Sequence, residues 1–316
     1  MDNKLDLITI GEGLVELSSR QSLTYAETLN KYFGGDTLTT AIAAARSGAK
    51  VGFISKIGND AFRDFLIGGW AAEGLDISRV TCVDGHNGVY FVAGHDTGHK
   101  EFAYYRKKTA AGMLSVRDID EEYVKSAKVV YATGITQSLS LSAKEAVAKL
   151  FKIAKENNIL VAFDPNFDPK LWTKEEAREA YYEVDDYIDI IFLNLKSDSL
   201  ELWGIESPDK LIEMALDKGI KTVVLKSKAR GGYFVGTANK NMFIPFYSDI
   251  KNDSTGAGDS FNGVFLYELS KDKSPFEAAK IASVVSGLQV RNIGAIKAIP
   301  SAKEVADAIK EQNEKQ

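Results

Sequence analysis

Short β-branched runs alternate along the chain with stretches whose apolar residues recur at helical spacing. Residues 5–11 read as a buried strand. Residues 36–48 read as a helix, with Leu38, Ile42 and Ala45 on one face and Asp36 as its N-cap. The alternation continues with a strand at 51–55 and a helix at 59–73. It resumes with strands at 128–132, 159–164, 188–193 and 221–226, and helices at 142–157, 175–185 and 208–218. Strands separated by single helices predict βαβ crossovers, and hence a mostly parallel sheet covered by helices on both faces. The last third reads as three helices, 257–269, 275–290 and 301–312.

Two segments break this rhythm. Residues 11–33 carry no long helical pattern, and 89–93 with 101–105 form a hairpin pattern around Gly94, His95, Asp96, Thr97 and Gly98. Strands without a helical partner predict a small second sheet outside the main layer. A single domain over 1–316, with a β-sheet lid built from about 12–33 and 85–108, accounts for both segments.

Composition narrows the function. Of the 316 residues, 39 are basic and 44 acidic, so the net charge is 39 − 44 = −5, and a nucleic-acid binder is not expected. Cys82 is the single cysteine, which removes disulfides and cysteine-built zinc sites and leaves an interior or otherwise inert thiol. The longest stretch free of Asp, Glu, Lys and Arg is 129–143, too short and too rich in Ser and Thr to span a bilayer. No signal peptide is recognisable at the N-terminus, so a cytoplasmic protein is expected. His95 and His99 are four apart but flank a turn, so their spacing does not make a metal site.

The chemistry concentrates at Asp253-Ser254-Thr255-Gly256-Ala257-Gly258-Asp259, which opens a helix. Glycines there let backbone N–H groups approach an anion, and the helix dipole favours negative charge. A carboxylate just beyond can accept a proton from a hydroxyl beside that anion. Gly256, Ala257, Gly258 and Asp259 thus suit phosphoryl transfer to an alcohol, with Asp259 as general base. The same residues also fit a glycine-rich turn in which Asp259 only complements the helix dipole.

This motif resembles the C-terminal signature of the ribokinase/PfkB carbohydrate kinase family, and the resemblance covers nearly the whole chain. Gly34-Gly35-Asp36-Thr37-Leu38-Thr39-Thr40-Ala41 resembles the family's first signature. Asp164-Pro165-Asn166 before Leu171-Trp172 looks like its Asp-x-Asn segment, and Arg291, Gly294, Ala295 and Pro300 resemble its closing stretch. The resemblance implies a ribokinase-like α/β fold and an ATP- and Mg2+-dependent sugar kinase that forms a homodimer through its lid.

Within the family, the wording at 34–38 and the lid residues Gly88-Val89-Tyr90 and Tyr104-Tyr105-Arg106 resemble the branch acting on 2-keto-3-deoxygluconate. This implies a substrate site of Gly34, Gly35, Thr39, Tyr90, Tyr104, Arg106 and Asp259, with Arg106 suited to a carboxylate. It implies a nucleotide site of Asn194, Lys226, Ser227, Gly231, Gly256 and Gly258. Besides Ser227, where the family usually has Gly, three positions depart from the family. Thr39 stands for Asn and Asp168 for Arg, while Ser197 takes the place of the Glu in the metal motif, leaving Asn194 and Asp198 as metal candidates. Asp168 makes a fructokinase-like or other neutral-sugar kinase the alternative. The three departures together also admit a catalytically impaired relative that binds sugar or nucleotide.

Overall fold

The computed structural model describes residues 5–94, 100–248, 250 and 252–314. The hairpin turn with His95 and His99 lies outside the described residues. Thirteen strands are described: β1 Leu5–Ile10, β2 Leu14–Ser19, β3 Asn30–Gly34, β4 Val51–Gly58, β5 Val80–Val83, β6 Val89–Gly94, β7 Lys100–Tyr105, β8 Ala127–Thr133, β9 Leu160–Asp164, β10 Ile190–Asn194, β11 Thr222–Ser227, β12 Gly232–Thr237 and β13 Lys240–Pro245.

Nine of them form one sheet in the order β13-β12-β11-β10-β9-β8-β1-β4-β5. It is parallel from β5 to β11 and closes with an antiparallel edge of β12 and β13. The sequence pattern did not distinguish β5, β12 and β13 from loop. Central strands such as β10 and β11 read as continuous apolar runs because both of their faces are covered. Ile190 and Phe192 join the core under the helices Asp36–Arg46, Ala257–Ser270 and Pro275–Gln289. Ile191 and Leu193 point the other way, under Leu141–Glu156 and Pro208–Asp217. The two-residue period of a strand thus divides one apolar run between two cores.

Local chemistry sets the helix ends. Thr173 with Glu176, and Ser274 with Glu277, form capping boxes at the starts of Lys174–Tyr182 and Pro275–Gln289. Two expectations need correction. Asp36 is the first helical residue and Gly35 the N-cap, because the chain enters this helix at a φ of +139° that disfavours any side chain. Cys82 is exposed, since β5 is a short strand at the sheet edge.

The second sheet has four strands in the order β3-β2-β6-β7, built from the two segments that broke the sequence rhythm. β2 runs antiparallel to β3 and parallel to β6, and β6 and β7 are antiparallel. In the large sheet β1 lies between β8 and β4, so successive connections leave in opposite directions there. This switch point opens a crevice at the carboxyl ends of the strands.

Candidate active site

Two helices begin beside that crevice, and each is entered through glycine in a left-handed conformation. Gly35, at φ +139°, precedes Asp36–Arg46, and Gly256, at φ +72°, precedes Ala257–Ser270. A Cβ on Gly35 would lie 2.4 Å from the Glu12 carbonyl oxygen, so the backbones can approach only without one. On Gly256 it would meet the Thr39 Cγ2 at 3.1 Å, which places the methyl of Thr39 against the glycine-rich turn. Neither helix has a side-chain cap, so both present N–H groups and positive dipole ends to the crevice.

Carboxylates converge on the same place. Asp36 accepts hydrogen bonds from the Thr133 hydroxyl at 2.6 Å and from the Asn166 amide at 3.3 Å. Asp164 accepts from the Asn166 N–H and from Asn262 Nδ2, each at 2.9 Å. Asp259, on the first turn of Ala257–Ser270, is pushed up to about 8, mainly by desolvation and further by the negative charge of Asp36, against the opposing pull of Lys226. Desolvation also raises Asp36 and, together with Asp198 and Asp259, raises Asp164 well above the ordinary carboxylate range. All three carboxylates stay partly accessible although protein surrounds them, as at the floor of a deep cleft. A carboxyl group near neutrality, in reach of solvent and at a helix N-terminus, can exchange a proton with a bound hydroxyl.

Lys226, the last but one residue of β11, lies on the other side of the turn, and a Cβ on Gly258 would sit 3.2 Å from its ammonium nitrogen. Next to it, Ser227 Oγ accepts from the Arg230 N–H at 3.3 Å, and Gly231 turns the chain at φ +69°. The N–H groups of the turn and the Lys226 ammonium put positive charge side by side, an arrangement that can attract an anion.

Asn194 and Asp198 are committed to backbone groups. Asp198 is buried and accepts from the Phe167 and Asn194 N–H groups, and desolvation raises it to about 6. Asn194 accepts from the Lys196 and Ser197 N–H groups and caps the segment Leu195–Trp203. Among the described residues, no group of three His, Cys, Asp or Glu is arranged to hold a metal ion.

The small sheet supplies the remaining wall. Tyr90 stacks on Tyr104 with ring centroids 5.6 Å apart, and Arg106 lies over the Tyr104 ring at 5.9 Å. Tyr90 donates its hydroxyl to Glu16, and a Cβ on Gly34 would intrude on that hydroxyl at 2.4 Å. Arg106 is paired with buried Glu12, and burial lowers its pKa to about 10. At the other end of β7, Lys100 pairs with Asp253 and donates to the Thr255 hydroxyl at 3.1 Å. Asp253 also accepts from the Gly294 N–H at 2.9 Å, tying small sheet, glycine-rich turn and closing stretch together. A cleft of about 960 Å³, lined in part by Glu16, Lys100, Asp253 and Gly294, runs along this junction.

The structure therefore brings Gly34, Gly35, Thr39, Gly256, Ala257, Gly258, Asp259 and Lys226 to one crevice. It sets Tyr90, Tyr104 and Arg106 on the small sheet. Sequence reasoning passed over Glu12, Glu16 and Lys100, and it gave Asp36 only a capping role. Glu12 was detectable as a carboxylate just after the buried strand β1, and Glu16 as one within the apolar run of β2, places where an acidic residue has to meet a partner.

The pfkB family carbohydrate kinase profile matches residues 4–302. A 2-dehydro-3-deoxygluconokinase of Thermoproteus tenax is 31% identical over 312 residues, covering 97% of this chain and 94% of its own. A 5-dehydro-2-deoxygluconokinase of Clostridium beijerinckii is 27% identical over 321 residues, covering 98% and 94%. A candidate Ribokinase II from E. coli, solved in complex with ATP and Mg2+, superposes with a TM-score of 0.89 at 28% identity, covering 97% of this chain and 99% of that one.

Proposed function

This chain belongs to the pfkB family of carbohydrate kinases, and from that premise we propose that it transfers the γ-phosphoryl group of ATP to a hydroxyl of 2-keto-3-deoxygluconate or a close keto-sugar acid. The observation that carries the reading is Asp259, a carboxyl group raised to about 8 on the first turn of a helix opened by Gly256 and flanked by Lys226. Asp259 takes the proton of the acceptor hydroxyl, while the N–H groups around 256–258 and Lys226 neutralise the moving phosphoryl group.

ATP fits the cradle formed by Gly256, Gly258, Lys226, Ser227 and Gly231. Mg2+ keeps much of its water and is held largely by phosphate oxygens, so it would arrive with the nucleotide and supply charge neutralisation. Tyr90, Tyr104 and Arg106 would close over the sugar, the four-stranded sheet acting as a lid on a single domain. Exposed Phe102 and Tyr105 on that sheet, with exposed Tyr25 in the loop between β2 and β3, favour a homodimer through it, which light scattering at micromolar concentration tests. The reading places the enzyme in the cytoplasm, where ATP is supplied. No helix among the described residues is long and apolar enough to cross a membrane.

One observation favours a second reading. Arg106 is already faced by Glu12 and influenced by Asp168, an arrangement that suits a neutral sugar. ADP release measured over 2-keto-3-deoxygluconate, 5-keto-2-deoxygluconate, fructose and ribose tests the proposal. Turnover of a keto-sugar acid above the neutral sugars supports it, and turnover of neutral sugars alone overturns it.

A further inference from the structure

Arg106 does not stand free in the pocket assigned above to the substrate's acidic end. One terminal nitrogen is paired with Glu12, whose side chain is 1% exposed, and Asp168 is close enough to act on its charge. Beyond that ion pair, neither Glu12 carboxylate oxygen has a hydrogen-bond partner among the described residues, and Arg106 Nε has none either. The backbone around Glu12 is held from both sides. A Cβ on Gly13 would lie 2.0 Å from the Trp70 ring, and one on Gly35 would lie 2.4 Å from the Glu12 carbonyl oxygen. Close packing of this kind holds the backbone from which the Glu12 side chain departs. Its carboxylate is buried against the guanidinium, in a place that water barely screens.

We infer that Glu12 is a specificity-determining residue, which occupies the Arg106 fork and so sets how strongly the pocket prefers a sugar acid over a neutral sugar. The inference rests on the kinase reading and deepens it. An opposed charge a few ångströms away cancels much of the attraction that a guanidinium offers to a second carboxylate. An incoming acid has to share the fork through the terminal N–H groups that the Glu12 pair leaves open, because Nε is buried. Asp168 acts in the same direction from the pocket rim.

The test is Glu12→Gln, which keeps the shape and one acceptor oxygen while removing the charge. Wild type and variant are assayed for ADP release with 2-keto-3-deoxygluconate and with fructose, and both compounds are also titrated by calorimetry. The ratio of acid to neutral affinity should rise about tenfold in Glu12→Gln. In Asp168→Asn, at a partly exposed position, it should rise about two- to threefold. An unchanged ratio, or one that moves toward fructose, overturns the inference. Wild-type turnover of fructose alone would sink the sugar-acid reading, yet the calorimetric ratio in Glu12→Gln still decides this one. If Glu12→Gln does not fold, Glu12→Asp, which draws the carboxylate back from the fork by one methylene, decides it: the same ratio should rise, and an unchanged ratio overturns the inference.

Discussion

Gly263 and the carbonyl oxygen of Thr40 face each other so closely that a Cβ on Gly263 would lie 2.1 Å from that oxygen. The helices Asp36–Arg46 and Ala257–Ser270 therefore cross at backbone contact, which only a residue without a side chain permits. The crossing has a chemical consequence. Asp259 lies one turn before Gly263 on the same helix, and Asp36 opens the helix that carries Thr40. The distance between the two backbones holds the two carboxylates near enough to influence each other.

Gly263→Ala gains helix propensity of about 1 kcal/mol, but the clash is with backbone and outweighs it. The variant should lose roughly 1–2 kcal/mol, lowering Tm by about 2–8 °C. Its kcat should also fall, because Asp259 moves with its helix. Thermal unfolding together with ADP release checks this. An unchanged Tm would show that the helices have room to part.

Asp259→Asn removes the proton acceptor while preserving shape. Its kcat should drop roughly 10²–10⁴-fold with nucleotide affinity nearly unchanged, read by single-turnover kinetics and nucleotide titration. Wild-type turnover in this variant would remove Asp259 from the role of base.

The raised pKa of Asp259 sets a pH dependence. The free enzyme must lose that proton to act, so kcat/KM should climb with pH and level off above about 8. Stability runs the opposite way. The folded-state pKa lies above the ordinary 3.8, so the folded chain holds a proton that the unfolded chain has already released. The resulting stabilisation is complete at acid pH and is lost as pH rises through about 8. Asp259→Asn should therefore be more thermostable than wild type, by a margin that widens from about pH 5 to about pH 9. A constant margin across that range would contradict the assignment.

Arg106→Met keeps much of the side chain's bulk and removes its charge. If Arg106 binds the substrate carboxylate, kcat/KM for 2-keto-3-deoxygluconate should fall roughly 10–150-fold, the equivalent of about 1.5–3 kcal/mol. Fructose should lose far less. Equal losses for both would assign Arg106 to the architecture of the small sheet through its pair with Glu12.

The glycine-rich turn and the pattern of strands and helices were legible because each is local. Gly256 and Gly258 mark a helix entrance whatever surrounds it, and the runs that became β10 and β11 state their own burial. Glu12 was not legible in the same way. Its partner Arg106 lies on β7's outgoing chain, and only the pairing of β2 with β6 and of β6 with β7 brings them together. Asp198 shows the same limit. The family resemblance left it a metal candidate beside Asn194, and chain spacing said nothing of the Phe167 and Asn194 backbone N–H groups from which its oxygens accept.

By itself the sequence determined the layered α/β architecture, the two segments that form the separate sheet, and the helix entrance bearing Asp259. Those features follow from period, propensity and the steric freedom of glycine, which act over a few residues. The tertiary structure alone decided the charge state of the site. Asp36 and Asp259 come from the starts of two helices far apart in the chain and Asp164 from the end of β9, while Arg106, just after β7, meets Glu12, just before β2. A carboxylate's pKa depends on the charges and the solvent within a few ångströms of it, and chain separation carries no information about those.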